Sequence, residues 1–213
     1  MEPIFTLPFM EYICINEITK YFKKNDGYSI LIPTSRQQKG FDFVLFNQKN
    51  NMSTKFQVKS SKIYYHNEPK KKTKKQQFKY YVWLNKFEIE EHDSDYYLFC
   101  GIYNKDPQRM KLDHSKDYTK WYQYIFFLLT KEELDSLFKT FNEKTFSIGF
   151  NDSNKAFLVK GKGKDTFEEI SHYILNQKKL EEVDKKIQKM VEIEKDYRIS
   201  SSKKKDSGEG IRK

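Results

Sequence analysis

Residues 40–61 read GFDFVLFNQKNNMSTKFQVKSS, which is two β-rich runs on either side of a polar turn. The runs 41–46 and 54–59 are rich in aromatic and β-branched residues, so both are predicted strands. Residues 47–53 are mostly Asn, Gln, Lys and Ser, as is typical of a turn. The sequence therefore predicts two neighbouring strands that can pair through this turn as a hairpin.

Three polar side chains interrupt the apolar pattern of this hairpin: Asp42, Gln57 and Lys59. Because side chains alternate between the two faces of a strand, Gln57 and Lys59 should share one face. Pairing of the two strands would bring Asp42 beside them at one end of the hairpin. A carboxylate, an amide oxygen and an ammonium are groups that can hold a divalent cation and a water. The hairpin therefore contains a candidate metal site.

A predicted helix precedes the hairpin at residues 6–24, where apolar side chains recur at helical spacing. Glu17 falls within its apolar arc, next to Cys14 and Ile18. A buried carboxylate is costly unless a charged group or a metal meets it. Glu11 lies close to the same arc, so the helix offers two candidate acids for the site.

The residues that carry a family resemblance lie in four short motifs, one on the helix and three in the strand region: Glu17, 27–28, 40–42 and 57–59. Together they resemble the PD-(D/E)XK nuclease superfamily, in the branch where Gln replaces the acid of the third motif. The resemblance covers roughly residues 10–62. It implies an α/β fold with a restriction-endonuclease-like mixed central sheet flanked by helices.

The resemblance also implies an activity, which is Mg²⁺-dependent endonucleolytic hydrolysis of DNA, with Mn²⁺ as a substitute for Mg²⁺. By position, Asp42 would bind the metal, Gln57 would offer its carbonyl oxygen, and Glu17 would complete the set of ligands. Lys59 would orient the attacking water. Phe41 stands where the family pattern has Pro, and Gln57 removes one negative charge from the metal site. A non-catalytic DNA-binding or assembly protein that retains the fold is therefore the alternative.

The charge balance agrees with a nucleic-acid partner, since 40 basic residues outnumber 30 acidic ones and aromatic residues make up 16% of the chain. An AT-rich coding sequence would also favour Lys, Phe and Tyr, so composition alone makes DNA a candidate partner and no more. The basic run at 69–75 follows the second hairpin strand and is predicted to contact the DNA backbone, although a solvated loop would have the same composition. Its five lysines are Lys70, Lys71, Lys72, Lys74 and Lys75.

The rest of the chain completes the α/β pattern. Further strands are predicted at 28–32, 96–103, 124–129, 145–150 and 156–159, and residues 78–84 suit either a strand or a helix. Capping boxes at Thr130 and Thr166 predict helices to about residues 141 and 197. We therefore predict a nuclease-like domain at 1–165, a C-terminal helix at 166–198 and a disordered basic tail at 199–213.

Several classes of protein do not fit this sequence. Cys14 and Cys100 are too few for a disulfide scaffold, and no His or Cys spacing suggests zinc. No apolar stretch is long enough to span a membrane, and the N-terminus does not read as a signal peptide, so a reducing, cytoplasmic location is expected. The apolar seam at 180–191 could pack on the domain or pair with a second copy, and a homodimer would supply two active sites for the two strands of DNA.

Overall fold

A computed structural model of the protein describes residues 9–34, 40–65, 80–84, 94–104, 122–141, 146–150, 155–159 and 167–206. The helices of these residues are α1 (Phe9–Thr19), α2 (Lys131–Phe141) and α3 (Gln177–Asp206), with single turns of 3-10 helix at Lys24–Asp26 and Ser171–Tyr173. The strands are β1 (Tyr28–Leu31), β2 (Phe43–Asn47), β3 (Met52–Tyr65), β4 (Tyr80–Leu84), β5 (Tyr96–Asn104), β6 (Tyr122–Thr130), β7 (Phe146–Phe150), β8 (Ala156–Val159) and β9 (Phe167–Glu169).

The main sheet has the order β1-β2-β3-β5-β6 and is mixed. Strands β1, β2 and β3 form an antiparallel meander, β5 runs parallel to β3, and β6 returns antiparallel to β5. The predicted hairpin is present in the register that places Phe43 opposite Phe56. The structure is therefore a mixed α/β fold, as the sequence predicts.

A second group of strands continues from the far end of β3. Residues 63–65 of that strand pair with β4, and β7, β8 and β9 follow in antiparallel order. The predicted late hairpin corresponds to β7 and β8, and the ambiguous segment at 78–84 contains the strand β4. The long strand β3 is thus shared by both groups, which is why it is much longer than the predicted 54–59.

The core lies on both faces of the main sheet. Apolar side chains of α1 and α3 pack on one face, against Phe43, Phe56 and Leu98. The other face carries Tyr97 and Phe127 and packs against α2 and the second group of strands. Residues 96–100 of β5 are all buried, which explains the unbroken apolar run in that segment. Within the described residues, no helix combines the length and apolarity needed to cross a membrane.

Two predictions about the C-terminal region are wrong. Residues 167–169, expected to open a helix, instead form β9 and pair with β8. Helix α3 begins at Gln177, where the Asn176 side chain accepts a hydrogen bond from the backbone N–H of Lys179 at 3.0 Å. The helix also continues to Asp206, through residues expected to be disordered from 199. Extending an existing helix costs much less than nucleating one, so a polar continuation can remain helical.

The other helix predictions agree better with the structure. The capping box of α2 is present, with reciprocal hydrogen bonds between Thr130 and Glu133 at 2.7 and 3.1 Å. Most of the predicted seam of α3 is buried, but Met190 is exposed. Helix α1 ends at Thr19 rather than at 24, because Phe22 turns inward and packs edge-on against Tyr28.

Helices α2 and α3 are joined by an ion pair in which only the lysine is buried. Lys179 is 8% exposed, and its ammonium lies 3.0 Å from Glu133 Oε1 and 5.4 Å from the centre of the Tyr173 ring. The Glu133 side chain is 31% exposed, so water can partly replace the lysine, and we expect Lys179→Ala to lower the free energy of unfolding by about 1–2 kcal/mol. Urea denaturation measures this change. The control Lys178→Ala, an exposed lysine one residue away, should stay within about 0.5 kcal/mol of wild type, and equal losses in both variants would contradict the role of the pair.

Candidate functional site

Asp42 lies immediately before β2 and is fixed against β3 by backbone and side-chain contacts. Its backbone N–H donates to the Phe56 carbonyl at 2.8 Å. Its Oδ2 accepts the backbone N–H of Val58 at 2.6 Å and the Gln57 Nε2–H at 2.5 Å. The structure therefore brings together Asp42 and Gln57, two of the residues that the sequence nominates. Charge-assisted bonds of this kind hold a carboxylate in one orientation.

Gly40 explains how the chain reaches this position. Its φ of +101° is in the left-handed region, which glycine adopts without steric cost. Its carbonyl accepts a hydrogen bond from Ser94 Oγ, and Ser94 is buried directly before β5. The segment leading into β2 is thus tied to the start of β5, a contact that sequence spacing does not reveal.

Asp42 lies where the pairing of β3 changes. Pairing of β2 with β3 stops at Phe56, and pairing of β4 with β3 starts at Ile63. Between these points β3 pairs with β5 on its other side, and no strand among the described residues pairs with the edge next to Asp42. Gln57 is buried there, whereas Asp42 is partly exposed.

Lys59 belongs to the same face of β3 as Gln57. It is two residues further along the strand, opposite Phe99 of β5, and its side chain is partly buried. Tyr97, fully buried opposite Gln57, belongs to the core beneath this face. The period-two prediction for Gln57 and Lys59 agrees with the strand register.

The structure places the two helical acids differently. Glu17 pairs with Lys20, which directly follows α1, and the Glu17 side chain is 32% exposed. Glu11 precedes the buried residues Cys14, Ile15 and Ile18 by three, four and seven positions, the spacing of a single helix face. Glu11 therefore shares the face of α1 that packs on the sheet, and Glu17 is at its border.

Cys14 lies in the core between α1 and the sheet. A hydrogen bond with Cys100, then burial and the charges of Glu11 and Asp42, raise the pKa of its thiol far above the usual range. Cys14 therefore stays a neutral thiol and is a poor nucleophile. Helix α1 packs on the face of the sheet that carries Phe43 and Phe56, which is opposite to the face of Gln57 and Lys59. Glu11 and Glu17 both stay candidates for the helical acid.

The donor chemistry fits a magnesium ion with few protein ligands. The described residues contain no cluster of three His, Cys, Asp or Glu side chains arranged to hold a metal. Asp42 nevertheless offers a carboxylate, and the Gln57 amide contacts it through Nε2. Mg²⁺ is commonly bound through one or two carboxylates, with waters and substrate phosphate as the other ligands. Rotation of the Gln57 amide would turn its carbonyl oxygen to the side that Nε2 now occupies.

The predicted DNA contacts at Lys70, Lys71, Lys72, Lys74 and Lys75 lie outside the described residues. Comparison of the chain with protein-family models, with curated proteins and with solved structures finds no match. The case for a function therefore depends on the geometry around Asp42.

Replacing Gln57 tests whether its side chain is a ligand. Gln57→Glu adds a second carboxylate beside Asp42, so Mn²⁺ should bind about tenfold more tightly, because ligand charge sets affinity for hard cations. Without metal, repulsion between the two carboxylates should lower the melting temperature, and Mn²⁺ should restore it. Calorimetric titration with Mn²⁺ and thermal unfolding measure both effects. Unchanged or weaker Mn²⁺ binding would mean that Gln57 is not a ligand.

The two helical acids can be separated by matched substitutions. Glu11→Gln should weaken Mn²⁺ binding several-fold, because it removes a carboxylate from the side of α1 that packs on the sheet. Glu17→Gln removes the same charge from the helix but only disrupts an exposed pair with Lys20, so binding should hardly change. The same calorimetric titration applies to both variants. The opposite order of effects would restore Glu17 as the helical ligand.

Proposed function

We propose that this protein is a Mg²⁺-dependent DNA endonuclease of the restriction type or resolvase type. The observation that carries the proposal is the hydrogen bond between Asp42, which directly precedes β2, and Gln57 on β3. The meander β1-β2-β3, followed by the parallel strand β5, is also compatible with the core sheet that the resemblance implies.

Each residue of the site has a distinct part in this proposal. Asp42 and Gln57 would hold the metal, and an acid of α1, Glu17 or Glu11, would contribute a second carboxylate directly or through water. The chemistry that Mg²⁺ supplies when bound is polarisation of the scissile phosphate and activation of water for attack. Lys59 would orient that water and offset the charge that develops on the phosphate oxygens. The net charge of +10 favours approach of a polyanion.

The alternative is a DNA-binding or assembly protein that retains this fold without catalysis. One observation favours it, since Gln57 makes the metal site less negative than a pair of acids would. Salt-sensitive DNA binding cannot distinguish the two functions, because both share the basic surface. Metal-dependent cleavage can.

The test uses the full chain on supercoiled plasmid, linear duplex, branched and single-stranded DNA. We expect nicking or cleavage with Mg²⁺ or Mn²⁺, and none with EDTA. Ca²⁺ should support binding without cleavage. Absence of cleavage on every DNA form, in the presence of measurable DNA binding, would contradict the nuclease proposal and favour the alternative.

A further inference from the structure

A second polar cleft lies at the other end of β2 from Asp42. It has a volume of about 710 Å³ and is bounded by the end of α1, the turn between β2 and β3, and helix α3. Asp42 and Asn47 are at opposite ends of β2, which spans roughly 16 Å at the usual rise per residue. The cleft is therefore separate from the candidate metal site.

The lining of the cleft carries more basic than acidic side chains. Lys20, Lys23 and Lys49 line it together with Asp26 and Asp184. Lys20 pairs with Glu17, but among the described residues no acid forms an ion pair with Lys23 or Lys49. Two ammonium groups at the rim of a cleft can attract an anion.

Lys49 is held in place although it is exposed. Its backbone N–H donates to Asn47 Oδ1 at 2.9 Å, and its ammonium lies 3.4 Å from the carbonyl of Asn25. Its aliphatic stem lies along Gly27, where an added Cβ would come within 2.8 Å of Lys49 Cγ. Gly27 has a φ of +91°, so glycine serves both the backbone turn and the close approach of the lysine. A side chain restrained in this way loses less entropy when it binds a ligand.

A hydrogen-bonding centre lies among the other lining residues of the cleft. The Tyr28 hydroxyl donates to Asp184 Oδ1. Burial and the contact with Asp184 raise the pKa of Tyr28 to about 12, although hydrogen bonds from Asn47 and Gln188 act in the opposite direction. The phenol is therefore neutral. It is hydrogen-bonded to the side chains of Asn47, Gln188 and Asp184, all of which line the cleft. Asp184 has acceptor oxygens that suit amino or hydroxyl donors of a ligand.

We infer that this cleft binds a nucleotide unit, with its phosphate on Lys23 and Lys49 and its sugar or base toward Asp184 and Gln188. The volume lies within the range of roughly 300–1,000 Å³ that is usual for small-ligand sites. A phosphate alone would leave the amides and Asp184 unused, and an apolar ligand would leave two ammonium groups unmatched. The unit can come from a free mononucleotide or from a nucleic-acid chain, and the experiment distinguishes these sources.

The experiment measures binding by calorimetry with full-chain Asp42→Asn protein in EDTA, so that neither cleavage nor metal at the first site contributes. This inference does not depend on the proposed nuclease activity. The probes are the four deoxynucleoside monophosphates, inorganic phosphate and a short single-stranded oligodeoxynucleotide. Lys23→Ala with Lys49→Ala should weaken nucleotide binding about tenfold or more, as expected for loss of charge-assisted contacts. The control, Lys24→Ala with Lys189→Ala, removes two exposed lysines outside the cleft and should have little effect.

Each outcome has a defined meaning. Mononucleotide binding that is weakened only by the cleft variant supports a free-nucleotide site. Binding of the oligonucleotide alone, with the same dependence on the cleft lysines, supports the inference and identifies a nucleic-acid chain as the source. Inorganic phosphate that binds as tightly as the mononucleotides would overturn it, because base and sugar would contribute nothing. Equal effects of the two double variants, or no binding of any probe, would also overturn it.

Discussion

Asp42→Ala should reduce Mg²⁺-dependent cleavage of duplex DNA by about a thousandfold. A bound metal supplies several kcal/mol of transition-state stabilisation, and each factor of ten in rate corresponds to about 1.4 kcal/mol. Asp42 is the carboxylate that accepts a hydrogen bond from the Gln57 amide. DNA binding without metal should persist or become tighter, because one negative charge near the phosphates is gone. Single-turnover cleavage of labelled duplex and a binding titration measure the two effects.

The alanine variant has a structural risk, since the Asp42 carboxylate accepts the N–H of Val58. Asp42→Asn keeps an oxygen acceptor for this bond and removes only the charge, so it should fold like wild type and still lose activity. Asp135→Ala, a partly buried aspartate on α2 that is in neither site, is the control and should cleave normally. Cleavage by Asp42→Asn at the wild-type rate would remove Asp42 from the mechanism.

Lys59→Ala should lower the rate of cleavage about a hundredfold or more while DNA affinity remains almost the same. The reason is that a group acting on the attacking water or the developing charge contributes to the transition state more than to binding. Under single-turnover conditions, the loss should appear in the maximal rate and not in the DNA concentration needed to reach half of it.

A matched lysine lies on the same strand. Lys55 shares the face of Lys59 but is in the part of β3 that pairs with β2, where its ammonium is 5.8 Å from the centre of the Phe41 ring. Lys55→Ala removes the same charge and should retain most of the cleavage rate. Similar losses in the two variants would indicate a general effect of charge and would contradict a specific role for Lys59.

The sequence predicted the hairpin and its polar face because both depend on local rules. Alternation of side chains along β3 places Gln57 with Lys59, and the strand register places Asp42 next to Gln57. The capping box at Thr130 is equally local and is present in the structure. These features need no knowledge of distant contacts.

Other features depend on contacts between distant segments. Residues 166–169 have the sequence of a capping box, yet 167–169 pair with β8, and this tertiary contact overrides the local signal. Helix α1 has apolar residues on nearly all sides, so spacing alone could not decide between Glu11 and Glu17 as the acid facing the sheet. The contact of Cys14 with Cys100, which identifies the packed face, joins segments far apart in sequence.

The central claim is that Asp42 and Gln57 hold a divalent metal, and a crystal soaked in Mn²⁺ tests it most directly. Anomalous scattering locates Mn²⁺ independently of any assumption about activity. We predict one strong peak about 2.1 Å from an Asp42 carboxylate oxygen and from the Gln57 amide oxygen, and no such peak in Asp42→Asn crystals. A wild-type crystal in which Mn²⁺ binds elsewhere, or in which the same peak persists in the variant, would contradict the account.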